Sequence, residues 1–179
     1  DVEETVAGIK RQHNILAQLG IDTEEMYGYK VVEPLIQLRK PAVRAIAASL
    51  GLPREITHRP PFPGPALAAR VIGEVTPERV EIVRAATAVV EEELASTGAF
   101  QYLAILHEDR VTGLRDGKRD YGFQIEVRCW DSQDARTASP TRIPYEILER
   151  LAERITQIPG VVSVTYNITR KPPSTIEAV

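Results

Sequence analysis

The sequence holds one cysteine, one tryptophan and 6% aromatic residues among 179. A single thiol closes no internal disulfide, and such sparse use fits a reducing, cytoplasmic compartment. Cys129 stands beside Trp130 in an apolar, strand-like run, so a buried, inert thiol is expected rather than a nucleophile. No apolar run approaches the roughly 18 residues of a membrane span, and no secretory leader is visible, so no membrane partner is expected. Positive charge is not in excess: 22 Lys and Arg against 25 Asp and Glu leave a net charge of −3. That argues against a general nucleic-acid binder. His13, His58 and His107 show no metal-ligand spacing, and there is no internal repeat or low-complexity tract. What remains is the balance of an ordinary globular chain, 43% hydrophobic and 26% charged. Its length suits one domain or two small ones.

Proline is the residue used densely. Arg59-Pro60-Pro61-Phe62-Pro63-Gly64-Pro65 holds four prolines and a glycine. Proline fixes φ and pushes its predecessor toward extended backbone, so this stretch is neither helix nor interior strand. Composition alone favours a stiff interdomain linker. The other reading is a lid over an anionic ligand, with Arg59 and Arg70 at its ends.

Before it, Val6, Ile9, His13, Leu16 and Leu19 recur at helical spacing and predict a helix ending near Gly20. His13 lies on that apolar stripe and is read as a packing residue before a catalytic one. Tyr29 to Glu33 predicts a short strand stopped by Pro34, and Lys40 to Leu50 a helix with Pro41 in its first turn and Gly51 at its end. A strand followed by a helix is one α/β layer unit. After the prolines, Thr76 and Pro77 start a helix whose inner face is Val80, Val83, Thr87, Val90 and Leu94, closed by Gly98. Phe100–Leu106, Val111–Leu114 and Tyr121–Trp130 predict strands, the last two joined at Arg115-Asp116-Gly117-Lys118. Asp-Gly is a strong hairpin signal, so Asp116 is a turn residue before it is a ligand. Pro144 begins a helix with Ile147, Leu148, Leu151 and Ile155 inward, and Val161 to Ile168 is a last β-branched strand. The order predicts an α+β layer, helices on one face of an antiparallel sheet. The other face and the edges then need cover, and a two-fold homodimer is one solution.

Several stretches together resemble one family. "IKRQHN" (9–14), "VVEPL" (31–35), "GLPREI" (51–56), "PFPGPALAARVIGEVT" (61–76) and "KPPSTIE" (171–177) are similar, in order, to the C-terminal half of GMP synthetase. The resemblance implies an α/β part and an α+β part. Residues 1–58 would be the tail of a parallel-sheet ATP-pyrophosphatase domain, 59–75 a lid, and 76–179 the dimerisation domain. It further implies conversion of XMP to GMP with ATP and Mg in the complete enzyme, through an adenylated XMP that ammonia attacks. Ammonia would come from glutamine through an amidotransferase domain or subunit. Lys171 would reach the XMP phosphate, held still by Pro172 and Pro173, while Ile176 and Glu177 match substrate-recognising positions. Arg59 and Arg70 would neutralise phosphate as the lid, hinged near Gly73, closes.

The chain departs from that pattern in places. The family's Ser-Gly-Gly-Val-Asp-Ser phosphate loop is not in the sequence, so this chain alone is not expected to hydrolyse ATP or glutamine. It also begins at Asp1 rather than Met. A fragment or subunit of the enzyme is the first reading, and a catalytically inactive stand-alone dimerisation module the second. The lid has Pro65-Ala66 where Pro-Gly is usual, Val162-Ser163 where the family has Asn-Arg, and Gly113-Leu114-Arg115-Asp116 without the usual glutamine. Arg115 or Arg170 is the expected replacement cation.

Overall fold

The computed structural model describes residues 20, 22–32, 34–35, 37–38, 40–57, 66–133 and 135–178. The chain divides into two compact units, Asp1–Arg59 and Pro60–Val179. The proline run at 58–65, the expected helix before Gly20, His13 and Arg59 lie outside the described residues.

The first unit contains α1 (Thr23–Tyr27), α2 (Lys40–Ser49) and α3 (Arg54–Thr57). Asp22 caps α1, its carboxylate accepting from the amides of Glu24 at 2.9 Å and Glu25 at 3.2 Å. α2 ends as its sequence predicts. Gly51 adopts φ 78°, and the amides of Gly51 and Leu52 donate to Ala48 and Ala47, the double closure of a glycine-terminated helix. The strand predicted at Tyr29–Glu33 is not formed in its described part, Tyr29 to Val32, which is irregular. A strand needs a ladder partner, and the described residues of this unit supply none.

The second unit is an α+β layer. α4 (Pro77–Leu94) starts where Thr76 Oγ1 accepts from the Arg79 amide, and a 3₁₀ turn, Ala95–Thr97, carries it to Gly98 at φ 69°. β1 (Gln101–Arg115) and β2 (Lys118–Asp131) form one long antiparallel hairpin. Its turn residues Asp116 and Gly117 both take positive φ, 51° and 72°. Paired positive φ values are what a two-residue hairpin loop requires. β3 (Ser139–Pro140) adds antiparallel to the end of β2. α5 (Tyr145–Thr156) then leads to β4 (Val161–Tyr166), which pairs with β2 in parallel. The predicted antiparallel sheet therefore gains one parallel strand, because the α5 crossover returns the chain in the direction of β2.

Strand alternation divides this sheet into two apolar faces. Ala104, Leu106, Phe123, Ile125, Val127 and Cys129 face α4 and α5, meeting Val83, Val90, Leu94, Leu151 and Ile155. Burial pushes the Cys129 thiol up, which keeps it protonated and unreactive. Leu103, Ile105 and Trp130 point the other way and pack with Ala138 and Ile176. The face expected to need a second copy is thus partly covered by the chain's own carboxyl-terminal tail.

The segment entering α4 is also fixed. Ile72 N–H donates to Leu106 O at 2.9 Å. The buried Arg79 guanidinium donates to Ile72 O at 2.6 Å and His107 O at 3.3 Å, and to Glu74 O. Gly73, at φ 87°, has the Glu108 carboxyl 2.5 Å from where a Cβ would stand. The turn at Gly73, where a hinge is expected, is flanked by the Ile72 backbone bond to β1 on one side and the Arg79 bond to Glu74 O on the other.

Candidate functional site

The tail is tied to the sheet at both ends. At its start, Lys171 exchanges backbone hydrogen bonds with Ala138, at 2.9 and 3.1 Å. The Lys171 ammonium donates to Ala135 O at 2.7 Å. Ala135 stands in a loop closed by Ser132, whose hydroxyl donates to Thr137 O and accepts from the Ala135 amide. Among the described residues this uses one of the three ammonium donors.

This corner walls an open cleft of about 850 Å³. Phe100 and Pro172 give it apolar surface, Arg170 and Lys171 positive charge, and Ser132 a hydroxyl. Asp131 contributes one carboxylate, whose Oδ1 accepts from Thr141 Oγ1 at 2.8 Å. Two cations beside apolar surface suit an anionic ligand with an apolar part. Among the described residues, no group of three or more His, Cys, Asp or Glu side chains is placed to hold a metal ion.

The other expected site residues are placed as follows. Arg70 ends a 3₁₀ turn, Ala66–Arg70, and is 2% exposed. Glu177 lies beside it: Arg70 Nε and a terminal nitrogen both stand 3.5 Å from the carboxylate, and Gln101 Nε2 donates to it at 2.6 Å. The 3₁₀ turn and the end of the tail thus hold each other. Ile176 is 7% exposed, its side chain spent on Leu103, Ile105 and Trp130. Of the two candidate replacement cations, Arg115 pairs with Asp120 and donates to Val161 O at 3.0 Å, tying the hairpin to β4. Arg170 reaches the cleft.

Two residues of the tail face carried no motif. Glu126 and Arg128 lie opposite Ile105 and Leu103 in the β1–β2 register. They are joined at 2.6 Å, and Arg128 also donates to tail carbonyls. Their signal in the sequence is only the alternation of Glu126 and Arg128 with Ile125, Val127 and Cys129.

Fold and site define an α+β module whose own carboxyl terminus builds one wall of a cation-edged cleft. Residues 88–178 match the GMP synthase C terminal domain family, and the chain belongs to that family. It is 49% identical over 179 residues to a GMP synthase (glutamine-hydrolyzing) subunit of Archaeoglobus fulgidus, covering 99% of this chain and 57% of the relative. It is 43% identical to the corresponding GMP synthase subunit of Methanothermobacter thermautotrophicus, covering 97% and 56%. Against GMP synthase (glutamine-hydrolyzing) of Parafrankia sp. it is 47% identical, covering 97% and 33%. The chain spans little more than half the length of the two archaeal relatives and a third of the Parafrankia one.

Proposed function

We propose that this chain is the C-terminal part of a GMP synthase, in which its cleft receives the phosphate end of XMP. The observation carrying this reading is the position of the tail lysine. Lys171, mounted between Pro172 and the Ala138 bridge, lines an open cleft beside Arg170, its ammonium fixed by Ala135 O at 2.7 Å. A phosphate dianion needs fixed cations, and a backbone already held in place lowers the ordering cost of binding. Phe100 offers an apolar surface beside those charges. In the synthase, XMP held here would be adenylated by the ATP-pyrophosphatase portion, then attacked by ammonia released from glutamine by a separate domain or subunit. On this reading residues 1–58 belong to the pyrophosphatase portion and 59–75 to a lid, and this chain's own share is to bind and orient XMP.

The test is calorimetric titration of XMP into the full-length enzyme that carries this chain. Lys171→Ala is expected to weaken XMP by about tenfold to a hundredfold, the loss of a charge-assisted contact. Unchanged affinity would remove the phosphate role. A homodimer is part of the same reading. Leu114 and Tyr121 are 78% and 64% exposed near the hairpin tip, and pairing of two copies would cover them. Sedimentation showing only a monomer at micromolar concentration would count against it.

A further inference from the structure

The described tail beyond the Lys171 bridge has few fixings of its own. The Ser174 amide donates to Arg170 O at 3.0 Å, and Ile176 fills an apolar hole. Its far end is held by three side chains of different reach: Gln101 and Arg70 take the Glu177 carboxylate, whereas Arg128, which is 9% exposed, takes the backbone. One terminal nitrogen of Arg128 donates to Thr175 O at 2.9 Å and Glu177 O at 3.2 Å, with Ile176 O at 3.5 Å. Three successive carbonyls converging on one nitrogen define a particular curl of the chain. Arg128 Nε is meanwhile committed to Glu126 Oε1 at 2.6 Å.

Glu126 is itself surrounded. Asn167 Nδ2 donates to it at 2.7 Å and His107 Nε2 at 2.7 Å. An ionised carboxylate only accepts, so His107 carries its proton on Nε2 toward Glu126. Burial would raise this carboxyl, but hydrogen bonds from Arg128, Asn167 and His107 outweigh it and hold Glu126 below the ordinary range. Swinging Arg128 away would strand a buried anion.

We infer that Arg128, oriented by Glu126, is a positioning residue for the cleft: it sets the path of the tail from Thr175 to Glu177 and so keeps the Lys171 corner formed before ligand arrives. Its consequence for XMP rests on the function proposed above, whereas its hold on the tail does not. A planar guanidinium serves Glu126 and the tail carbonyls from separate nitrogens at once. A lysine ammonium at the same place has one nitrogen for both.

The experiment uses the full-length enzyme, with Arg128→Lys and Glu126→Gln as variants and Arg84→Lys on the exposed side of α4 as control. Hydrogen exchange is followed in peptides covering 170–178, α4 and β2, and XMP affinity and steady-state kinetics in parallel. In Arg128→Lys, tail amides are expected to exchange about tenfold faster, with α4 and β2 within about twofold of the parent. KM for XMP is expected to rise about tenfold while kcat moves less than threefold. Glu126→Gln keeps the side chain's shape, loosens Arg128 and gives the same pattern at smaller size, so it decides the matter if Arg128→Lys does not fold. Tail exchange unchanged in a folded variant overturns the inference, whatever happens to XMP. Faster tail exchange with unchanged KM also overturns it, leaving Arg128 a purely structural anchor. If the parent enzyme shows no XMP binding, the proposed function fails, and the tail exchange alone decides whether Arg128 sets the tail.

Discussion

The two units of this chain differ in where their order comes from. Among the described residues 20–57 only Thr57 is buried, and Met26, Tyr27, Tyr29, Val32, Leu50 and Ile56 are each at least half exposed. Every buried hydrophobic side chain among the described residues, from Val71 to Ile176, belongs to the second unit. Yet α2 and α4 are equally clear helices. The first is specified by what a few neighbouring residues do, Pro41 in its first turn and the Gly51 closure, the second by those signals plus a face packed on a sheet. Local signals are enough to define a helix on paper, whereas burial is what resists unfolding.

The comparison is broken most directly in the second unit. Leu103 is fully buried between β2 and the tail, so Leu103→Ala is expected to cost about 2–5 kcal/mol, read from urea unfolding of the 179-residue chain. Ile46→Ala, on the half-buried side of α2, is expected to cost under about 1 kcal/mol by the same measurement. Equal costs would mean that the first unit has a core of comparable depth. On the function proposed above, α2 gains cover in the longer enzyme, and hydrogen exchange of its amides should slow there relative to the 179-residue chain.

The same contrast explains what was legible in the sequence. Thr76-Pro77, Asp116-Gly117 and Gly98 carry their conformations in one or two residues, and each lies where its chemistry predicts. Cys129 beside Trp130 announced a buried strand. The strand expected at Tyr29–Glu33 is not formed over its described part, Tyr29–Val32, because β structure is a relation between segments, and α1 is hard to read because its signal is a single capping Asp22 before five residues. The parallel direction of β4 depends on the crossover, which no short pattern encodes. At the candidate site, the tail lysine stands in a motif that a sequence reading can single out. Arg128 and Glu126 could not, since a row of polar side chains on one strand face looks the same whether it meets water or the protein's own tail.

Acid sharpens the comparison next. The folded Glu126 carboxyl is held below its ordinary value of about 4.3. It therefore stabilises the second unit fully above that value, and the contribution is lost as pH falls through the lower folded pKa. Urea midpoints measured from pH 7 to pH 3 should decline more steeply in the parent than in Glu126→Gln. The first unit has no described carboxylate in such a network, and helicity of a peptide spanning α2 should be nearly flat over the same range. Parallel declines in parent and variant would assign the acid sensitivity to other groups.

The smallest effect tests the first turn of the second unit. Ala66 opens the 3₁₀ turn that carries Arg70, and it sits at φ 57°, a left-handed conformation that costs a residue with a Cβ about 1–2 kcal/mol. Glycine removes that strain and adds unfolded-state freedom worth about 0.4–1 kcal/mol. Ala66→Gly is therefore expected to raise stability by about 0.5–1 kcal/mol, seen as a higher urea midpoint at unchanged slope. The Arg70–Glu177 pair sits at the other end of the same turn. If the strain at Ala66 is what seats Arg70 against Glu177, the glycine variant should speed exchange of the Glu177 amide while the global midpoint rises. If the turn is seated by the Val71–Leu106 bridge and Arg79 instead, the midpoint rises and the Glu177 amide is unmoved. The second outcome is expected, because two backbone-directed anchors follow Arg70 directly, and only one strained residue begins the turn.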